Sequence, residues 1–186
     1  MDFKLSEEQL DIKKAVQKFT KGEFTKEKAM EFDVKEEFPF DLWKKACKLG
    51  FMGVRLPEEY GGQGLGMLEG VLIIEELCRA DSSLGAAITL ATFGYGLILK
   101  YGTEEQKKKY LPPLTRGEAI SAGAFTEPEH GSDITFLSTR AVKDGEEYVV
   151  NGTKTLITNG DIADFIVVLC QTNPEAKPSY LSLIHI

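Results

Sequence analysis

The chain has few of the side chains that build disulfide frameworks and metal sites. Its 186 residues include only three cysteines and two histidines. The cysteines, Cys47, Cys78 and Cys170, are odd in number, far apart and set in apolar segments, which argues against a set of disulfide bonds. We therefore expect three buried thiols in a reducing compartment, most simply the cytoplasm.

Positive charge is also scarce. Lysine and arginine number 22 against 29 acidic residues, which gives a formal net charge of −7. No basic stripe is present that could neutralise a phosphate backbone, so we expect no nucleic-acid partner. The N-terminus carries no basic patch followed by an apolar stretch, which argues against a cleaved secretory signal.

Long apolar runs are absent except in one place. Residues 82–99 form 18 consecutive positions without a charged side chain, close to the roughly 20 that a membrane-spanning helix needs. Glycines and threonines interrupt this run and amphipathic helices flank it, so we predict a buried central helix and no membrane span. Its small residues are expected either to pack tightly against other helices or to line a ligand pocket, and the sequence leaves both open.

Helical signals dominate the first part of the chain. The capping boxes at 6–9 (SEEQ) and 103–106 (TEEQ) predict one helix to about residue 21 and another to residue 110, which the LPP sequence ends. A further helix is expected over 41–49. The glycine-rich residues 50–66 lack the Gly-Lys-Ser/Thr ending of a phosphate-binding loop, so we interpret them as a structural connection.

A third helix is expected to begin at Met67. Apolar residues recur there every three to four positions, which predicts a mostly buried helix with a stripe formed by Met67, Val71, Ile74 and Cys78 and widened by Leu68 and Leu72. The charged residues of the same helix are expected to face outward: Glu75, Glu76 and Arg79.

Strand signals replace helical ones near residue 120. An apolar run over 120–125 predicts a strand, and β-rich runs at 139–143, 147–150 and 153–157 are separated by Asp-Gly and Asn-Gly turns, which predicts a meander. A buried strand is expected over 164–170. The fold class is therefore α+β, with an all-α helical domain over 1–119 and an antiparallel β domain over 120–180.

The segment 126–133 (TEPEHGSD) joins the two parts. Gly131 is expected to adopt a positive φ or to let the backbone approach a ligand, while Thr126 and Ser132 supply hydroxyls, which together predict a cradle for a phosphate-bearing cofactor. A rigid Pro-Gly turn is the alternative. A metal site is a further alternative, with the ligands Glu127, Glu129, His130 and Asp133. One short turn rarely aims four ligands inward, so no metal is predicted.

Five stretches taken together resemble the acyl-CoA dehydrogenase family of flavoproteins. They occur in the order found in that family: 5–9 (LSEEQ), 56–64 (LPEEYGGQG), 102–111 (GTEEQKKKYL), 125–133 (FTEPEHGSD) and 151–160 (NGTKTLITNG). The resemblance implies a helical domain and a truncated middle β domain. It also implies FAD as cofactor and an acyl-CoA thioester, oxidised at its α,β-bond, as substrate.

The resemblance assigns residues to two sites. The cofactor would be bound by Gly123, Ala124, Phe125, Thr126, Gly131, Ser132, Leu156, Ile157 and Thr158. The substrate would be contacted by Ser132, Gly85, Ala86, Thr89 and Phe93. His130 and Leu156 depart from the family pattern, in which a small residue and an aromatic residue are common at these positions.

The resemblance also implies parts that this sequence does not supply. The family's general base is a glutamate in a C-terminal helical bundle, so no catalytic residue is assigned within the chain. Residues 181–186 match the translation of a sequencing adaptor, and we interpret them as a non-native tail on a truncated chain. The implied partners are an electron-transfer flavoprotein and further copies in a homotetramer. A flavin monooxygenase or oxidase of the same fold, or a short non-catalytic binding protein, are the alternatives.

Overall fold

The computed structural model describes residues 4–173 and the backbone of residues 182–185. Its contacts divide the chain into two compact units. The first unit consists of Met1–Ala91 and Ile98–Glu118, and the second of Thr92–Leu97 and Ala119–Ile186. The short piece Thr92–Leu97 therefore belongs with residues that follow it by more than twenty positions.

The α-helices all precede residue 120 among the described residues. Their bounds are α1 Glu7–Glu23, α2 Lys26–Lys35, α3 Phe40–Lys48, α4 Met67–Ala80, α5 Ser82–Leu90, α6 Tyr95–Tyr101 and α7 Glu104–Arg116. The capping boxes are confirmed: the hydroxyls of Ser6 and Thr103 accept from the backbone N–H groups of Gln9 and Gln106, both at 3.2 Å.

Two helical boundaries differ from the sequence prediction. The charged stretch before Pro39 forms the unpredicted helix α2, capped by the Thr25 hydroxyl, which accepts from the Lys28 N–H at 3.3 Å. Helix α7 continues through Pro112 and Pro113 to Arg116 instead of stopping at them. Burial of Leu111 and Leu114 accompanies this continuation, so packing offsets the hydrogen bonds that the prolines cannot donate.

The buried face of α4 differs from most of the predicted stripe, of which Leu72 is buried as expected. Met67, Val71 and Ile74 are 60%, 50% and 47% exposed, and Cys78 is only partly buried. The buried residues of α4 are Gly70, Leu72, Ile73, Glu76 and Leu77. Glu76, predicted to face outward, is buried because Lys13, Gln17 and Arg79 all donate to its carboxylate.

The expected single helix over 82–99 is two helices with a break between them. Helix α5 ends at Leu90 and α6 begins at Tyr95, with Gly94 at a φ of 97° in the connecting turn. Only glycine adopts that backbone conformation without strain, which explains the position of the break. Within the described residues, no helix has both the length and the apolar character needed to cross a membrane.

The second unit contains a mixed sheet and a separate hairpin. Strand β1 (Ser121–Ala124) pairs in parallel with β4 (Phe165–Cys170), and β4 pairs antiparallel with β5 (Ser182–His185). Strands β2 (Arg140–Asp144) and β3 (Glu147–Asn151) form the predicted antiparallel hairpin. The α+β class is confirmed, but the β part is not wholly antiparallel, because β1 and β4 run in the same direction.

The predicted strand over 153–157 is wrong. These residues form no strand, since Leu156 takes a left-handed φ of 56° and the neighbouring Gly152 a φ of 156°. The meander therefore ends at β3. Residues 182–185 of the proposed tail form the edge strand β5, and residues 181 and 186 lie outside the described part. Any sequence of suitable pattern could form such a strand, so the non-native origin of the tail stays a prediction.

Candidate functional site

The end of strand β1 is built around a glycine in contact with two aromatic rings. A β-carbon at Gly123 would overlap the ring of Phe93, and the Phe93 and Phe125 ring centroids lie 5.5 Å apart. The Ser121 hydroxyl donates to the Phe93 carbonyl at 2.9 Å, which fixes the backbone of the turn before α6. A predicted substrate residue and a predicted cofactor residue thus meet within the second unit.

The loop that follows β1 leaves polar groups available. Ser132 is exposed, Gly131 has no other atom within 4 Å of where its β-carbon would be, and the Thr126 hydroxyl enters none of the hydrogen bonds among the described residues. The expected positive φ of Gly131 is wrong, since its φ is outside the left-handed range. Open space at Gly131 fits the close approach of a ligand, which was the other expectation for this residue.

The stretch after β3 presents an unusual apolar side chain. Leu156 is 88% exposed although its backbone is left-handed, a conformation that costs a leucine about 1–2 kcal/mol. Thr158 is exposed as well, while Ile157 is partly buried. An exposed leucine on a strained backbone points to a position that is shaped for contact with something other than the chain itself.

An ion pair that the sequence did not reveal connects these two segments. The Lys154 ammonium donates to Glu127 Oε1 at 3.0 Å and to the Phe125 carbonyl at 2.9 Å. The Thr155 N–H donates to the Thr126 carbonyl at 3.0 Å beside it. The two partners lie 27 residues apart in turns of ordinary composition, so no local pattern could have paired them.

Glu127 is the most enclosed carboxylate among the described residues of this unit. Burial raises the pKa of Glu127, but the Ser138 hydroxyl and N–H and the Lys154 ammonium outweigh it and hold the pKa below its ordinary value. The carboxylate therefore stays ionised and points at these donors. Across the residues that the structure describes, no three His, Cys, Asp or Glu side chains are grouped to hold a metal.

Three predicted substrate residues lie on α5 in the first unit. Gly85 packs against α4, where an added β-carbon would lie 2.7 Å from the Cys78 nitrogen, so tight helix packing explains this glycine. The Thr89 hydroxyl donates to the Gly85 and Ala86 carbonyls at 2.8 and 3.2 Å. Thr89 and Phe93 do not share a helix face as expected, because α5 ends between them.

Comparison with protein families accounts for nearly the whole sequence. Residues 6–118 match the acyl-CoA dehydrogenase N-terminal domain, and residues 122–185 match the acyl-CoA dehydrogenase middle domain. The chain belongs to the acyl-CoA dehydrogenase family. The resemblance seen in the five sequence stretches is thereby confirmed.

Individual members of the acyl-CoA dehydrogenase family align along this chain. The short-chain specific acyl-CoA dehydrogenase of Clostridium acetobutylicum is 41% identical over 174 residues, which are 93% of this chain and 46% of that protein. The structure of a glutaryl-CoA dehydrogenase with glutaryl-CoA covers all of this chain with a TM-score of 0.93 at 35% identity, and 48% of that protein is matched.

A third member was solved with a reduced flavin. The glutaryl-CoA dehydrogenase from Mycobacterium smegmatis in complex with FADH2 has a TM-score of 0.86 at 31% identity and covers 98% of this chain and 46% of that protein. The present chain thus spans about half the length of the proteins that it matches.

Proposed function

We propose that this chain supplies the flavin-contacting loop and part of the acyl pocket of an enzyme that oxidises acyl-CoA thioesters to their α,β-unsaturated products. The observation that carries the proposal is the arrangement at the end of β1. There Phe125, Thr126 and Phe93 come together beside the segment that bears Leu156. A bound FAD would supply the acceptor for the hydride that leaves the β-carbon.

The residues present fit that cofactor. An aromatic pair and the exposed Leu156 offer apolar surface for a flat ring system, and the unengaged Thr126 hydroxyl offers a hydrogen bond. The open space at Gly131 and the exposed Ser132 suit the polar remainder of the cofactor or the CoA arm. Gly123, Ala124, Ile157 and Thr158 complete the proposed cofactor contacts.

On the family resemblance, the proposed substrate contacts remain Gly85, Ala86, Thr89, Phe93 and Ser132. No residue of this chain is proposed as the general base that removes the α-proton. An electron-transfer flavoprotein as acceptor, assembly as a homotetramer and a cytoplasmic location complete the proposal, and each follows from the family resemblance or the composition.

The proposal is tested on the gene product obtained by reading the source DNA beyond the codon for residue 180. That protein should bind FAD and reduce a dye acceptor with one or more members of an acyl-CoA panel, whereas residues 1–186 alone should hold FAD poorly and be inactive. Rapid oxygen consumption in place of dye reduction would identify an oxidase instead. A gene product without FAD would refute the proposal.

A matched pair of variants then locates the flavin. Thr126→Val keeps the side-chain volume and removes the hydroxyl, so FAD affinity should fall by about tenfold, the value of one hydrogen bond of about 1 kcal/mol or slightly more. Thr153→Val, at an exposed threonine outside the proposed contacts, is the control. Equal FAD affinities for the two variants would show that the Thr126 hydroxyl does not bind the flavin.

A further inference from the structure

The second unit contains a carboxylate that accepts hydrogen bonds from two other stretches of the chain and so joins three. Glu127 has a fully enclosed side chain, and Lys154 is 10% exposed. Glu127 Oε2 accepts from the Ser138 N–H at 2.7 Å and from the Ser138 hydroxyl at 2.6 Å, and Oε1 accepts from the Thr139 N–H at 2.8 Å. With Lys154, this carboxylate joins the loop after β1, the residues just before β2 and the stretch after β3.

Lys154 extends the junction to the backbone beside Glu127. Its ammonium bridges Glu127 Oε1 and the Phe125 carbonyl, and the next residue, Thr155, donates its N–H to the Thr126 carbonyl. Residues 125–127 and 154–155 are therefore held together by three adjacent polar contacts. Each segment leads directly into proposed flavin contacts, Phe125 and Thr126 on one side and Leu156 on the other.

We propose that Glu127 and Lys154 are positioning residues that set the separation and orientation of the two backbone segments on which the flavin rests. The inference rests on the proposed function, because it concerns the same site. Neither side chain is assigned a contact with the flavin. Lys154 acts through the carbonyl of Phe125, and Glu127 acts through Lys154 and the N–H groups of Ser138 and Thr139.

The type of interaction favours positioning over simple stabilisation. A buried ion pair contributes little net stability compared with neutral partners of similar volume, because desolvation of the two charges offsets their attraction. It does impose direction, since an ammonium that bridges two fixed oxygens permits few arrangements of the chains that carry them. Geometry and stability should therefore respond differently when both charges are removed together.

The test compares three variants in the full gene product. Lys154→Met leaves Glu127 buried without its cation. Glu127→Gln combined with Lys154→Met removes both charges while the glutamine oxygen still accepts from Ser138 or Thr139. Lys35→Met, which breaks an exposed ion pair with Glu31 on α2, is the control. The measurements are the FAD dissociation constant, the visible circular dichroism of bound FAD and the thermal midpoint.

The expected pattern separates the two roles. Lys154→Met should raise the FAD dissociation constant about ten- to a hundredfold, the loss associated with a charge-assisted hydrogen bond, and should lower the thermal midpoint. The double variant should recover most of the midpoint but keep the weak FAD binding and an altered dichroism. The control should match wild type in all three.

If wild type binds FAD, either of two results would overturn the inference. One is a double variant with wild-type FAD affinity and dichroism. If neither charged-pair variant folds, Ser138→Ala decides, since it removes only the hydroxyl donor to Glu127: an unchanged FAD affinity and dichroism would be the second contrary result. If wild type binds no FAD, the proposed function and this inference both fail. If wild type binds FAD and the variants bind it equally well, only this inference fails.

Discussion

The rings of Phe93 and Phe125 meet at an interplanar angle of 57° because Gly123 has no side chain to hold them away. The Phe93 ring occupies the space that a β-carbon at position 123 would need. The Ser121 hydroxyl holds the Phe93 backbone from the same strand. The Ser121 hydroxyl and the empty side-chain position at Gly123 thus both help strand β1 to hold the turn before α6 in place.

Gly123→Ala should therefore destabilise the second unit by about 1–3 kcal/mol, the usual range for overpacking. Urea unfolding followed by fluorescence and circular dichroism measures the change. Gly96→Ala is the control, since its added methyl meets no atom within 4 Å and lies in α6, where alanine is favoured by up to about 1 kcal/mol over glycine. Equal losses in both variants would contradict the described contact.

Leu156→Gly should stabilise the chain slightly while weakening FAD binding. Glycine removes the cost of the left-handed backbone, and an exposed leucine has no buried surface to lose. The greater entropy of glycine in the unfolded chain offsets part of this, so the free energy of unfolding should rise by up to about 1 kcal/mol. Leu156→Ala separates the two effects, because alanine keeps the backbone cost but also removes the side chain. Tight FAD binding by both variants would show that Leu156 does not contact the flavin.

Glu76→Gln should lower the stability of the first unit at neutral pH by about 1–3 kcal/mol, because the buried side chain loses charge-assisted hydrogen bonds from Lys13 and Arg79, which are themselves partly exposed. Burial raises the pKa of Glu76, but hydrogen bonds from Lys13, Gln17 and Arg79 outweigh it, so the pKa lies below its ordinary value. Its contribution is then complete above about pH 5 and is lost as the pH falls below about 4.

The measurement for Glu76 is the free energy of unfolding between pH 3 and pH 7. Wild type should lose stability more steeply on acidification than Glu76→Gln does. Glu31→Gln, at an exposed pair with Lys35, serves as the control and should follow the wild-type curve. Parallel curves for wild type and Glu76→Gln would show that Glu76 does not titrate with unfolding.

Gly85→Ala should destabilise the first unit by about 1–3 kcal/mol, because the added carbon would lie 2.7 and 2.8 Å from backbone atoms of Cys78, which cannot move without shifting α4. Gly22→Ala in α1 is the control, since nothing lies within 4 Å of its added methyl. The control should be neutral or stabilising. A tolerated Gly85→Ala would remove the packing explanation for this glycine.

Local signals in the sequence predicted the parts of the fold that are decided locally. The Ser6 and Thr103 capping boxes, the Asp-Gly turn between β2 and β3 and the buried strand β4 need only neighbouring residues, and each is present in the structure. The face of α4 was predicted wrongly because apolar residues lie on both sides of that helix. The buried side is decided by Lys13 and Gln17, which reach Glu76 from α1.

The sequence motifs predicted which residues belong to the candidate site but not how its distant segments pair. Thr126 and Gly131 were predicted from the residues of their own loop, and Leu156 from the family resemblance. The backbone of 153–157 did not follow from its β-rich composition. There the hydrogen bond from Thr155 to Thr126 and the Lys154 ion pair override local strand preference. Such pairings join distant stretches, so no window of the sequence contains both partners.

The grouping of Thr92–Leu97 with the second unit has a consequence for exchanging parts between related proteins. A single exchange at residue 118 would take Thr92 and Phe93 from one parent protein and Ser121, which bridges to Thr92, from the other. A functional chimera must therefore transfer residues 92–97 together with the sequence that follows residue 118. A chimera of this chain thus needs three crossovers. Two of them flank residues 92–97, and the third follows α7.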